Sequence, residues 1–260
     1  QRGRRGASPH SGGRRRPIGA RGGRSLRYAR DSLKTISTAV GLLDDLKRQA
    51  ESLQASRQTD TAARERNAAL VEAACKSAFQ YWLDLAKQLN VLQPTSPMRY
   101  VLDSRHVFEQ MQMTDFRVDS RRKSLQGQPL HDYIQLVCLL KSGRKLDLAK
   151  DMPADVERIQ SRLRQSGIEF HMENVREPES GRYLHTRFEF TADFMAGVKL
   201  LPQHETGLVQ FQIFNIEGFE TLLAETPAFE VNQVLLDELT KLLLGQPNRF
   251  LQEARLLRRG

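Results

Sequence analysis

From Leu26 to Leu53 the apolar residues recur at a spacing that only a helix can use. Leu26, Ala29, Leu33, Ile36, Val40 and Leu43 step by 3, 4, 3, 4 and 3, and Leu46, Ala50 and Leu53 continue after one short step. A strand would scatter these side chains over both faces. A helix aligns them into one stripe. The period is close to the heptad by which helices pair, with a single stammer. Charged residues such as Asp45, Lys47, Arg48 and Glu51 fill the other faces. A stripe of this kind has to be covered, so the segment is expected to pack on another helix.

The polar run QASRQTD (54–60) interrupts the stripe. A second helix is expected to begin near Asp60 or Thr61, either of which suits an N-cap. Its stripe reads Ala63, Leu70, Ala74, Ala78, Trp82, Leu85 and Leu89, with Pro94 and Pro97 stopping it. Two such helices predict an antiparallel helical hairpin over 25–93. The interaction residues expected from it are Leu33, Ile36, Val40 and Leu43, faced by Leu70 and Trp82. They would serve self-association or the docking of another protein. Tyr81, beside Trp82, is expected to point elsewhere, toward a partner.

Beyond residue 98 the period falls to two. Residues 98–112 are expected to form a connector with a short helix. DYIQLVCLLK (132–141) is almost continuously apolar, as a central strand would be. Ser142-Gly143 then predicts a hairpin turn into KLDLA (145–149). A helix is expected from Asp151 and Pro153 to Gly167. Strands follow at 168–174, 183–190, 197–202 and 207–216. FETLLAE (219–225) reads as a short helix, VNQVLLDELTKLLLG (231–245) as a longer one, and 249–259 as a last helical turn or two. Runs of strands with segregated helices predict an α+β domain over 98–260. It would hold a six- or seven-stranded, mostly antiparallel sheet, one crossing helix and C-terminal helices.

The charge sits in one place. The chain carries +9, and residues 1–24 supply eight Arg and no acid, leaving 32 basic against 31 acidic side chains. That Arg/Gly-rich tail buries too little to offset its chain entropy and is expected to be disordered. It is either a phosphate-neutralising arm or an extension outside the working protein, and nucleic acid is an expected partner only in the first case. Arg14, Arg15 and Arg16 would act there, helped by Arg121, Arg122 and Lys123 of RRKS (121–124), the dense basic run of the remainder. That run reads first as a charged hairpin end. No apolar run approaches the roughly 18 residues that span a bilayer, so no membrane partner is expected and the cytoplasm is the default.

Linear motifs of chemistry are missing. There is no phosphate-cradling glycine loop, no H-E-x-x-H, no C-x-x-C and no G-x-S-x-G. Cys75 and Cys138 lie in apolar runs and are expected to be reduced core residues. The strands at 168–174 and 183–190 carry the best polar cluster. Glu169, His171 and Glu173 share one face, as do His185, Arg187 and Glu189. Two pairings are consistent, one setting His171 opposite His185 and the other Glu173 opposite His185. A metal or acid–base site would then use His171, His185 and Glu173. A solvated face with cross-strand charge pairs is the alternative. Neither a cofactor nor an enzymatic activity is expected. The overall expectation is a non-enzymatic interaction protein, with a nucleic-acid binder and a hydrolase or metalloenzyme as alternatives.

Overall fold

A computed structural model describes residues 42–125 and 127–260. Contacts divide the chain into a unit of residues 51–260 and a unit of residues 1–50, whose described part is the start of the first helix. That helix, α1 (Leu42–Leu92), runs for 51 residues. It holds neither Gly nor Pro, and the polar run at 54–60 does not break it. Thr59 and Thr61 return their hydroxyls to the carbonyls of Ala55 and Arg57, at 3.0 and 2.8 Å, and so stay helical. The turn expected at 54–60 is therefore absent, and no helical hairpin is found over 42–93. Residues 26–41, with most of its first arm, lie outside them, as does the tail of residues 1–24.

The chain continues as β1 (Tyr100–Val101), β2 (Val107–Phe108), β3 (Gln112–Leu125), β4 (Gln128–Lys141) and β5 (Lys145–Lys150). Then come α2 (Pro153–Ser166), β6 (Phe170–Arg176), β7 (Tyr183–Thr191), β8 (Phe194–Gln203), β9 (Leu208–Phe214) and β10 (Thr221–Pro227). A 3-10 turn (Ala228–Glu230), α3 (Gln233–Leu243), α4 (Phe250–Glu253) and β11 (Arg255–Arg259) complete it. The fold is α+β. Its main sheet has six antiparallel strands in the order β11-β10-β9-β8-β4-β3, and β5-β7-β6 form a separate three-stranded sheet. No helix among the described residues is long and apolar enough to cross a membrane.

Several local expectations are overturned. The connector at 98–112 forms the small β1–β2 pair instead of a helix. Ser142-Gly143 does not close a hairpin: β4 pairs with β3 and β8, whereas β5 pairs with β7. The Asp193 carboxylate accepts the backbone N–H groups of Ser142 and Gly143 and holds the point where the chain changes sheets. Residues 221–227 form a strand because Leu222, Ala224 and Thr226 are buried at period two. The final segment gives one helical turn and then β11, whose backbone completes pairing along β10. By contrast α2 ends as expected at Gly167, where φ is 72° and the residue caps the helix in the left-handed conformation.

The core lies between the main sheet and the helices. Val71, Ala74, Cys75, Ala78, Trp82, Ala86 and Leu89 of α1 are buried, a span of ~27 Å at 1.5 Å per residue. Polar contacts fix how α1 crosses the sheet. Asn67 donates to the Glu205 carbonyl beyond β8, and Asn90 exchanges two hydrogen bonds with the Phe116 backbone of β3. The Tyr81 hydroxyl donates to Asp237 of α3 at 2.6 Å and lies 3.1 Å from Thr240. Tyr81 thus meets another helix of its own chain, not a partner. Asn215 donates to the carbonyls of Ser166 and Met195, tying the α2 end to β8.

Candidate functional site

Glu72 is the acidic side chain that α1 turns toward its own buried face. It follows Val71, the first fully covered residue of the helix, and it meets two histidines from distant parts of the chain. His131 begins the apolar stretch of β4, and His204 lies in the turn between β8 and β9. Both imidazoles are buried, and the Glu72 side chain is 16% exposed. Glu72 Oε2 faces His131 Nδ1 at 2.8 Å. Its Oε1 accepts the His131 backbone N–H at 2.8 Å and faces His204 Nε2 at 2.9 Å. One carboxylate therefore gathers three donors from two strand ends, which is the pairing a buried charge requires.

The electrostatics follow from that geometry. Burial by itself would raise the Glu72 pKa, but the hydrogen bonds from His204 and His131 outweigh it and hold the carboxyl below its ordinary value. Cys75 lies one turn further along α1 and is fully buried. Burial pushes its thiol up to about 12, with the Glu72 charge adding to the effect. Burial and that raised pKa favour the protonated thiol. Ligand atoms of Glu72, Cys75 and His131 nevertheless all lie within 4.8 Å of one another.

A cleft of about 530 Å³ opens over this cluster. Thr61, Arg64 and Glu65 of α1 form one wall, Gln128 and Leu130 of β4 another, and Glu72 and His204 also line it. Its lining brings carboxylates, a guanidinium and an imidazole into one concavity.

The sequence-predicted positions fall elsewhere. Leu33, Ile36, Val40, Arg14, Arg15 and Arg16 lie outside the described residues. Leu43 is 65% exposed and Leu70 40% exposed, whereas Trp82 is 1% exposed and packs inside the chain's own core. Trp82 is thus covered within the chain's own core. Arg121, Arg122 and Lys123 stand exposed near the end of the β3–β4 hairpin. Lys123 reaches Asp132 at 2.9 Å and Arg121 approaches the same carboxylate at 3.7 Å, so part of their charge is already matched.

His171 and His185 are not brought together. They share a sheet face as the alternation required, but the register is shifted from both expected pairings. His171 pairs with Glu189, Glu173 with Arg187, and His185 with Val175. His171 and Glu173 are exposed on the open strand. Arg187 instead binds Asp147 of β5 through Nε at 3.0 Å and reaches Glu189 at 2.8 Å. This is a face of cross-strand charge pairs.

Sequence reasoning missed Glu72, His131 and His204 as a group and read Cys75 only as a reduced core residue. Glu72 and His131 are 59 residues apart, and Glu72 and His204 are 132 apart, so no linear spacing joins them. One signal existed: an acid in a helical run whose neighbours Val71 and Ala74 are apolar.

No family model, no curated protein and no solved structure matches this chain.

Proposed function

We propose that this chain is an interaction protein that self-associates through the exposed part of α1, its partner being a second copy of the same helix. The observation that carries the reading is the contrast along one element. Every residue from Leu42 to Ala62 is exposed, yet Leu43, Leu46, Ala50 and Leu53 keep heptad spacing. Leu46 is 51% and Leu53 is 59% exposed. Isolated helices are marginal in water, and leucines spaced as a seam gain most when another helix covers them. Ala50, a small residue between two leucines, permits close approach of a like helix. The same stripe continues upstream in sequence to Leu26.

Sedimentation of the full chain tests this. The wild-type chain is expected to sediment as a dimer or larger species. Leu46→Glu with Leu53→Glu places charge in the seam and should yield the monomer mass, with the helical circular-dichroism signal of the 51–260 unit retained. A wild-type monomer at all concentrations, or an unchanged mass in the double variant, would sink the reading.

A further inference from the structure

We propose that Glu72, Cys75 and His131 form a binding site for a divalent transition metal, zinc above all, with His204 holding the second Glu72 oxygen. The inference is independent of self-association. Three observations bring it about: the donor set, the spacing and the scaffold.

The donors are a thiol sulfur, an imidazole nitrogen and a carboxylate oxygen. Calcium and magnesium prefer all-oxygen sites, whereas sulfur and nitrogen donors select zinc and its neighbours. A thiolate and a carboxylate together also balance the two charges of the ion. That balance matters at a site whose cysteine and histidine are both buried.

The three ligand atoms lie within 4.8 Å of one another. Bonds of about 2.0–2.3 Å in tetrahedral geometry hold ligand atoms roughly 3.3–3.8 Å apart. The cluster reaches that arrangement by small side-chain movements. His131 Nδ1 and Glu72 Oε2, at 2.8 Å, would part by about 0.5 Å to admit the ion between them.

The scaffold is rigid where a metal site needs it. Glu72 and Cys75 are three apart on one helix and so share a face. The backbone N–H of His131 is already bonded to Glu72 Oε1, which fixes β4 against α1. His204 Nε2 on that same oxygen orients the carboxylate, the task that partners of metal ligands commonly perform. Glu72 and His204 border the cleft, which provides a way in for the ion. Binding displaces the Cys75 thiol proton to solvent and shifts the His131 ring proton from Nδ1 to Nε2, leaving a thiolate and a neutral imidazole on the metal. The ion would then bridge α1 and β4.

The test is a titration of the chelator-treated full chain with Co2+, followed by Zn2+. One equivalent of cobalt should bind and give the thiolate-to-cobalt charge-transfer band of a sulfur ligand, and zinc should displace it. Cys75→Ala should remove the band. Glu72→Gln should keep the band and weaken affinity by about tenfold or more. Cys138→Ala and His171→Ala should change neither. Far-UV circular dichroism checks the fold of each variant. If Cys75→Ala does not fold, the near-isosteric Glu72→Gln and the wild-type spectrum decide the matter. Absence of stoichiometric binding at micromolar free metal, cobalt bound without a charge-transfer band, or undiminished affinity in Glu72→Gln would overturn the site and leave the cluster as a hydrogen-bonded pin.

Discussion

Asp103, between β1 and β2, shows how much one side chain contributes. Its Oδ1 accepts the backbone N–H groups of Arg105 and His106, at 2.9 and 2.8 Å, and faces His106 Nδ1 at 2.8 Å. Its Oδ2 accepts Lys150 Nζ at 2.9 Å, and the side chain is only 11% exposed. Burial would raise the Asp103 pKa, but the Lys150 hydrogen bond and those from Arg105 and His106 overcome it and hold the carboxyl well below the ordinary range. A carboxyl depressed in the folded state contributes stability that is fully present above its unfolded pKa, near 4, and is lost as pH falls below that value. Asp103→Asn is therefore expected to cost roughly 2 kcal/mol at pH 7, and the gap to wild type should close as pH drops from about 4 toward 2. Urea unfolding at several pH values checks it, and a gap that stays constant over that range would refute the assignment. Nothing in the sequence around Asp103 distinguished it from other aspartates. Its partner Lys150 is 47 residues away, and only the folded chain places the two together.

The strands carry a second lesson, in which close backbone approach decides what a position tolerates. Gly197 of β8 sits opposite Val137 of β4. A Cβ added there would lie 2.2 Å from the Leu136 carbonyl oxygen and 2.9 Å from the Val137 Cα, both backbone atoms that cannot swing away. Gly197→Ala should therefore part the two central strands. The expected cost is about 1–3 kcal/mol, read as a lower urea midpoint, and an unchanged midpoint would contradict the close approach. Helices were more legible than strand partners. Pro153 and Gly167 announced the bounds of α2, and the leucine spacing of 231–245 announced α3. The position of β4 followed from its nearly continuous apolar run, and strands were expected at 197–202, within β8, and at 207–216, around β9. Which strands pair did not follow, because a turn dipeptide such as Ser142-Gly143 says how a chain bends and not which edge it meets next. The His171–His185 pairing failed similarly: alternation fixes the face of a strand, and a shift of two residues leaves the face unchanged.

For the chain as a whole, the proposed self-association through α1 would couple stability to concentration. A dimer seam that forms only between folded chains stabilises the native state by mass action, so the midpoint of thermal unfolding should rise with protein concentration. Leu46→Glu with Leu53→Glu should flatten that dependence. A concentration-independent midpoint in the wild-type chain would count against the seam. The charge of +9 bears on this little, since outside residues 1–24 basic and acidic side chains nearly cancel. Arg121 and Lys123, the basic pair at the β3–β4 hairpin, already face Asp132.

The amino-acid sequence by itself determined the class of the fold. Period-3.5 spacing requires helix at the start of α1, period-two runs require strands beyond residue 98, and their segregation makes the protein α+β. These are local facts, written in the spacing of neighbours along the chain. Tertiary structure alone decided the rest. It ran α1 unbroken through 54–60, turned 221–227 and 255–259 into strands, and buried Trp82 in the chain's own core. It also carried His131 and His204 to Glu72. Each of those outcomes depends on which surfaces meet across tens of residues, where burial outweighs the small preferences of local sequence.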